Sequence, residues 1–191
     1  MQRTKFILFV ILGVSLNQAP LRAQDTNFYP IAPATKLEAF STNVGAIIIK
    51  GTTDLGAVSA KTAAVSVKSK EMTEPASGHK EQGIAIEISR TGQAKDVMLI
   101  DYDELPSLLA AIDYLSKVEV SVSPMETFDA AYTTKGGFRI AALGTRRTGL
   151  VQFGVRDTRN NTAPVVFSRE EMTRLGSLID QAKRQLDGLR G

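Results

Sequence analysis

The same order of sequence patterns occurs twice in this chain of 191 residues: strand-like segments, then a capped amphipathic helix. Apolar residues at every second position predict half-buried strands, and apolar residues three or four positions apart predict one stripe on a helix. Strands grouped ahead of a helix favour an α+β fold with antiparallel sheets. We predict a single α+β domain at residues 36–191. It contains two repeats of about four strands and one helix each, at residues 36–118 and 126–188, related by a pseudo-two-fold axis.

The first repeat becomes strand-like from Lys36 and contains four short segments with strand character. They are residues 46–50, 63–68, 84–89 and 97–100. Residues 69–83 between them contain Pro75 and Gly78 and have no apolar period, which predicts a long, mobile loop.

A helix follows, because apolar residues recur at helical spacing after an acidic start. Asp101 and Glu104 have the spacing of a capping box, and Pro106 falls in the first turn, where a missing N–H costs little. The predicted helix ends near residues 117–118, and its apolar stripe is Leu105, Leu108, Leu109, Ile112 and Leu115.

The second repeat has the same order of predicted strands and helix. Its predicted strands carry Phe128, Ala130 and Tyr132; Phe138, Ile140 and Ala142; Val151, Phe153 and Val155; and residues 165–167. Lys135-Gly136-Gly137 predicts a hairpin turn, because glycine adopts positive φ freely. Ser168 and Glu171 form a second capping box, and Gly188 is a predicted helix stop. The second stripe is Met172, Leu175, Ile179, Ala182 and Leu186.

The two repeats align without a gap at an offset of 67 residues. Residues 101–113 then match residues 168–180, and residues 84–88 match residues 151–155. Ala63-Ala64-Val65 falls on Ala130-Ala131-Tyr132 at the same offset. One register shared across three elements predicts an internal duplication.

This element order resembles the duplicated strand-and-helix arrangement of the Whirly and PUR single-strand nucleic-acid-binding proteins, although no motif of either family is present. Three segments are also similar to a family of uncharacterised exported bacterial proteins. They are IDYDEL at 100–105, IDYLSKV at 112–118 and YTTKGGF at 132–138. That second resemblance covers most of the chain from Gly45 on, and it implies no activity, cofactor or site.

The first residues have the composition of a secretory signal peptide. Arg3 and Lys5 precede an apolar run at residues 6–16, and Ala23 offers a small residue at a cleavage position. The run spans about 16 Å as a helix, roughly half of a bilayer core, which favours cleavage over a retained anchor. We expect residues 1–23 to be removed, residues 24–35 to form a flexible lead-in, and the protein to be periplasmic or extracellular.

Charge and cysteine content limit the remainder. The chain has no cysteine, so neither a disulfide nor a lipid-modified cysteine contributes. The net charge of +3 comes from the predicted signal peptide, and the remainder is formally neutral. Residues 24–127 contain 14 acidic and 9 basic side chains, whereas residues 128–175 contain 4 and 8. Such an asymmetry can pair subunits or steer a charged partner.

Candidate catalytic and metal-binding groups are few. His79 is the only histidine, and no G-x-S-x-G elbow accompanies it. The acids Asp101, Asp103 and Glu104 could bind a hard cation, but they lack the spacing of a calcium loop and suit a helix N-terminus equally well. No pattern selects a pair among the 20 acids for hydrolysis, and no cofactor motif is present.

Basic residues interleaved with aromatics are typical of single-strand nucleic-acid binding. The arginines of this pattern are Arg139, Arg146, Arg147, Arg156 and Arg159. Phe138, Phe153 and Tyr132 accompany them, although both phenylalanines also fit the predicted core. Because an exported, neutral chain seldom meets nucleic acid, we predict a non-enzymatic domain that contacts a protein or small ligand through a sheet edge or its arginine-rich turns. Single-strand nucleic-acid binding is the alternative, and an unrecognised hydrolase is the third.

The signal-peptide interpretation predicts that the exported protein begins at Gln24. Mass spectrometry of protein recovered from outside the cytoplasm should give the mass of residues 24–191. A protein that still carries Met1 or Phe6 would contradict it.

Overall fold

The computed structural model describes residues 32–160 and 162–190. The predicted signal peptide, and residues 24–31 of the predicted lead-in, lie outside this part of the chain. No helix within it is both long and apolar enough to cross a membrane.

The first repeat forms a four-stranded antiparallel sheet with its strands in chain order. The strands of this first sheet are β1 Ile49–Ser59, β2 Ala64–Glu74, β3 His79–Ser89 and β4 Asp96–Asp101. A short helix, α1 Lys36–Ser41, precedes the sheet. A 3-10 turn at Tyr102–Glu104 and the helix α2 Leu105–Lys117 follow it.

The second repeat forms another four-stranded antiparallel sheet, again with its strands in chain order. The strands of this second sheet are β5 Thr127–Thr133, β6 Phe138–Thr145, β7 Leu150–Asp157 and β8 Val165–Phe167. The helix α3 Arg169–Arg190 closes the repeat. The predicted α+β fold with two sheet-plus-helix repeats is confirmed.

The alternation of apolar and polar residues identified the central strands of both sheets correctly. Ile84, Ile86 and Ile88 of β3 are completely buried, and Ile84 lies opposite Ile100 of β4. In the second sheet the predicted apolar side of β6 is completely buried as well. Both inner faces belong to one hydrophobic core, which also contains the stripes of α2 and α3.

The predicted loop at residues 69–83 is wrong, because β2 and β3 continue as a hairpin almost to its tip. Only residues 75–78 form the turn, and Gly78 there has φ +69°. Cross-strand polar pairs hold the extension: Gln82 donates to Glu71 at 2.7 Å between Nε2 and Oε2. Since the polar side chains pair across the two strands, the hairpin forms here without alternating apolar residues.

The chain around Lys36 is a helix, where a strand-like pattern was predicted. Thr35 caps it, because its Oγ1 accepts from the backbone N–H of Glu38 at 3.0 Å. Asp101 accepts from the backbone N–H groups of Lys36 and Leu37 at 2.8 and 3.1 Å. The predicted capping of α2 by Asp101 is therefore wrong: its carboxylate serves α1.

Glu104 does not complete a capping box either. Its Oε1 accepts from the backbone N–H of Lys135 at 2.9 Å, which ties the start of α2 to the β5–β6 turn. By contrast, the box at α3 is confirmed. Ser168 N–H donates to Glu171 at 2.6 Å, and Glu171 N–H donates to Ser168 Oγ at 3.2 Å.

The first strand and the last helix also differ from prediction. The first strand was expected at residues 46–50 but begins at Ile49 and runs to Ser59, with a register shift between Asp54 and Gly56. The helix α3 passes through Gly188 and ends at Arg190. Gly188 is a residue of this helix, so it does not act as a stop.

Each helix packs mainly on the sheet of the other repeat. The helix α2 contacts β5 and β6 of the second sheet, and α3 contacts β1 and β2 of the first sheet most closely. Because the two helices also contact each other, the repeats share one core. The expectation that each helix packs on the strands of its own repeat is wrong.

The offset of 67 residues holds for element order but not for every residue. At this offset Ile84 and Ile100 correspond to Val151 and Phe167, yet Phe167 pairs with Phe153. The strand pairing in the second sheet is thus shifted by two residues relative to the first. Because side chains alternate between the two faces of a sheet with a period of two, the same positions still face the core. The match of Ala63–Val65 with Ala130–Tyr132 fails, because the first segment enters β2 and the second lies in β5.

The shared core predicts the effect of truncating either stripe. Leu108 and Leu175 are both completely buried, so Leu108→Ala and Leu175→Ala should each lower the free energy of unfolding by about 2–5 kcal/mol. Leu189 is 56% exposed near the end of the same helix as Leu175, and Leu189→Ala should cost far less. Urea unfolding followed by circular dichroism measures all three. A second, separate unfolding transition in either core variant would contradict the shared core.

Candidate binding face on the second sheet

The side of the second sheet that faces away from the core is open in the described part of the chain. We call it the outer face, and it consists of the outward side chains of β5 to β8. They are Thr127, Asp129, Ala131, Thr133, Arg139, Ala141, Leu143, Thr145, Leu150, Gln152, Gly154, Arg156 and Val166. No described helix packs on this face, because α2 and α3 both lie on the core side.

Small residues occupy the centre of the outer face. Ala131, Ala141 and Gly154 are successive neighbours across three strands, and Val166 is opposite Gly154 on β8. Since Ala141 and Gly154 carry at most a methyl group, they form the floor of a shallow depression of about 230 Å³. Larger side chains, including those of Arg139, Leu143 and Arg156, form its rim.

Arg139 and Arg156 are directly opposite each other on β6 and β7. Arg139 forms an ion pair with Asp129, with 2.9 Å between Nη2 and Oδ2. Arg156 is exposed, and its guanidinium has no hydrogen-bond or ion-pair partner among residues 32–160 and 162–190. Asp129 is the only acid on the outer face, so one positive charge remains uncompensated there.

Arg146 and Arg147 lie in the β6–β7 turn at the other end of the strands. Arg146 donates to the carbonyl oxygen of Pro124 at 2.9 Å, whereas Arg147 is exposed and forms no polar contact within the described chain. At about 3.3 Å per strand residue, the turn lies about 20 Å from the Arg139–Arg156 pair. The structure therefore places four of the five predicted arginines at the two ends of one open face.

Arg159 does not join them. Its guanidinium contacts Glu38 of α1 and the carbonyl oxygen of Val97 on β4, the latter at 3.1 Å. Its backbone N–H donates to the buried Asp157 at 2.8 Å. Arg159 therefore connects the two sheets, and its guanidinium does not lie on the outer face.

The aromatic side chains of the predicted nucleic-acid site also lie elsewhere. Phe138 and Phe153 belong to the core. Their neighbours Arg139 and Gln152 point outward, and side chains alternate along a strand, so both phenylalanines point inward. Tyr132 is half-buried on the inner side of β5, where burial and then the nearby Glu104 raise the pKa of its phenol. Stacking aromatics are therefore not part of the outer face.

The other candidate groups each have a structural contact within the protein. His79 is exposed at the start of β3, where its ring meets the edge of Phe40 at 5.0 Å between centroids. Asp101 caps α1, Asp103 pairs with Lys36 at 3.0 Å, and Glu104 accepts from Lys135. No group of three or more potential ligands in the described residues could hold a metal ion.

A larger, open groove of about 960 Å³ lies where the β1–β2 and β3–β4 turns meet the start of α3. Three of its polar side chains already have partners within the protein. Ser168 and Glu171 cap α3, and Arg90 pairs with Asp96 at 2.6 Å. The groove is also lined by Lys61, Thr62, Thr91 and Gln93, whose side chains have no hydrogen-bond or ion-pair partner among the described residues, but it lacks the opposed arginines of the outer face.

Asp96 is a buried acid that the sequence did not indicate. Burial alone would raise its pKa, but hydrogen bonds from Arg90, Thr162 and Asn160 outweigh burial and hold the pKa below its ordinary value. Arg90 also donates to the carbonyl oxygen of Ala163 at 2.9 Å. This network anchors the segment before β8, including Pro164 at the rim of the depression.

Comparisons with known proteins give distant similarities. No protein-family model matches the sequence, and no curated protein matches it. Two similar solved structures are Whirly/PBF-2-type proteins. "Structure of the plant transcriptional regulator PBF-2" has 13% identity and a TM-score of 0.31, covering 75% of this chain and 85% of that one. WHY1 from Arabidopsis thaliana has 14% identity and a TM-score of 0.28, with 72% and 84% covered. The resemblance to an exported bacterial family stays a prediction.

The Asp96 network predicts a pH-dependent contribution to stability. Because the pKa of Asp96 is lowered on folding, its contribution is complete above the unfolded pKa of 3.8 and is lost as pH falls through the folded pKa. Asp96→Asn should lower the free energy of unfolding by roughly 2 kcal/mol at neutral pH. The difference in the free energy of unfolding between this variant and the unsubstituted protein should shrink as the pH falls below 3.8. Urea unfolding at several pH values tests this, and a constant difference would contradict it.

Proposed function

We propose that this protein is a non-enzymatic, exported binding domain that holds an anionic partner on the outer face. The observation that carries the proposal is Arg156, which is exposed and unpaired within the described chain beside Arg139. A guanidinium presents several N–H donors in a planar fork, which fits carboxylate and phosphate oxygens. The outer face thus has free donors of the kind that an anion requires.

The arrangement of the other polar groups supports binding without catalysis. General acid–base or nucleophilic chemistry requires titratable groups that meet at one place. His79 lies at the hairpin tip of the first sheet, far along the chain from Arg156, and the buried acids accept structural hydrogen bonds. The outer face itself carries one carboxylate, Asp129, which Arg139 already pairs.

Single-stranded nucleic acid is the second candidate partner. The observation that favours it is the placement of arginines at both ends of an open face about 20 Å long, which would span several phosphates. Guanidinium planes could replace aromatic rings as stacking surfaces. The alternative therefore depends on the arginines alone.

Two labelled probes separate these partners: a polyglutamate peptide and oligo(dT), each followed by fluorescence anisotropy. Arg139→Gln/Arg156→Gln should weaken binding by about ten-fold or more, because each arginine supplies charge-assisted hydrogen bonds. Lys117→Gln/Arg184→Gln removes two positive charges from exposed helical ion pairs and is the matched control. Its affinity should change little.

Salt dependence identifies the partner class. Oligo(dT) bound through phosphates should lose affinity linearly in log[salt], with a shallower slope in the Arg139→Gln/Arg156→Gln variant. If both double variants bind either probe as the unsubstituted protein does, the outer face is not the binding surface.

A further inference from the structure

We infer that the anionic partner is a lipid bilayer surface, on which the outer face lies flat. This inference rests on the proposed function and names its partner. It starts from aliphatic side chains that the binding of a simple anion leaves unexplained. Leu143, Leu150 and Val166 are 47%, 63% and 56% exposed, respectively.

These three side chains share the face with the arginines. Leu143 is opposite Gln152, and Leu150 is opposite Thr145, so both leucines point outward beside the β6–β7 turn. Val166 is opposite Gly154 on the neighbouring strand. An outward sheet face that only meets water is normally polar, and clustered exposed aliphatics mark an interaction surface.

The combination of aliphatic and cationic side chains distinguishes a bilayer from the other anionic partners. A nucleic acid would find only the arginine planes to stack on, because the nearby aromatics Phe138 and Phe153 are in the core, and it would leave the aliphatic side chains in water. A small carboxylate would engage Arg139 and Arg156 and leave both leucines in water. A bilayer interface takes both kinds of group, because leucine enters the acyl boundary while arginine stays at the phosphates.

The shape of the outer face fits a planar partner. Its centre is low because Ala131, Ala141 and Gly154 carry little or no side chain. The arginines stand at the two ends, with Arg147 in the turn and Arg156 about 20 Å away. Both ends can therefore reach head groups at once while the leucines lie between them.

Charge elsewhere in the protein would orient it. Residues 49–101, which contain the first sheet, carry seven acidic and seven basic side chains, so this part of the protein is neutral. An anionic surface therefore attracts the second sheet, where basic side chains are in excess, more strongly than the first. The charge asymmetry between residues 24–127 and 128–175 is thereby given a physical role.

Sedimentation with vesicles tests the inference on the protein recovered after export. Vesicles of phosphatidylglycerol and phosphatidylcholine should bind it, and vesicles of phosphatidylcholine alone should not. Arg147→Gln/Arg156→Gln should weaken binding by roughly 25-fold, since each arginine near an anionic bilayer contributes about a factor of five. Lys117→Gln/Arg184→Gln, with the same change in net charge, should weaken it far less.

A second pair of variants tests the apolar part. Leu150→Ser should weaken vesicle binding by about three- to ten-fold, because it removes an inserting side chain. Ile47→Ser is the control, since Ile47 is 78% exposed but lies before β1, away from the outer face. Equal effects of the two serine variants would overturn the inference, as would equal binding to phosphatidylcholine vesicles.

The outcome also separates this inference from the proposed function. If vesicles fail to bind while oligo(dT) or polyglutamate still binds in an Arg139- and Arg156-dependent way, the lipid inference is wrong and the binding face stands. If no probe binds, both are wrong. Vesicle binding that needs both Arg147 and Leu150 supports both.

Discussion

The packing of α3 on the first sheet is the interaction on which the rest of the structure depends. The helix α3 follows the second sheet in the chain, but its apolar stripe packs mainly against β1 and β2 of the first sheet. In return, α2 follows the first sheet and contacts β5 and β6. Neither sheet would bury its apolar face with its own helix alone, so the repeats fold as one core.

This exchange decides which surfaces remain free. Both helices lie between or beside the inner faces, so neither can cover an outer face. The helix α1 covers part of the outer side of the first sheet, because Leu37 and Phe40 pack with Met72 of β2. The second sheet receives no such cover from the described chain, and its arginines and aliphatics stay exposed. The candidate binding face is thus a consequence of the packing as much as of its own residues.

Features encoded over short distances could be predicted from the sequence, and those encoded over long distances could not. The Ser168–Glu171 capping box involves two residues in one helical turn, and it was confirmed. Asp101 looked like a local cap, but its carboxylate accepts from Lys36 and Leu37, more than sixty positions earlier. Residues 69–83 looked like a loop because their strand pairing is polar. A period of apolar residues cannot reveal such a strand.

The site was partly predictable for the same reason. Arg139 and Arg156 could be found from strand alternation, because their neighbours in the chain are core residues. Arg159 could not be separated from them, since only the fold shows that it reaches Glu38 and Val97. The exposed leucines were missed because an aliphatic residue in a strand normally predicts the core. Alternation places Leu143 and Leu150 on the same side as the arginines, but only the fold shows that no described helix covers that side.

The placement of Arg139 opposite Arg156 is itself evidence about selection on this face. Like charges directly across two antiparallel strands destabilise a sheet, and threonine or another β-former would serve the fold better. Asp129 offsets one of the two charges but not the other. The exposed Leu150 and Val166 likewise add nothing to the core. Positions at which a sequence departs from what its fold requires are expected where function acts on it. In the described second sheet, two such departures, opposed arginines and exposed aliphatics, occur together on the outer face.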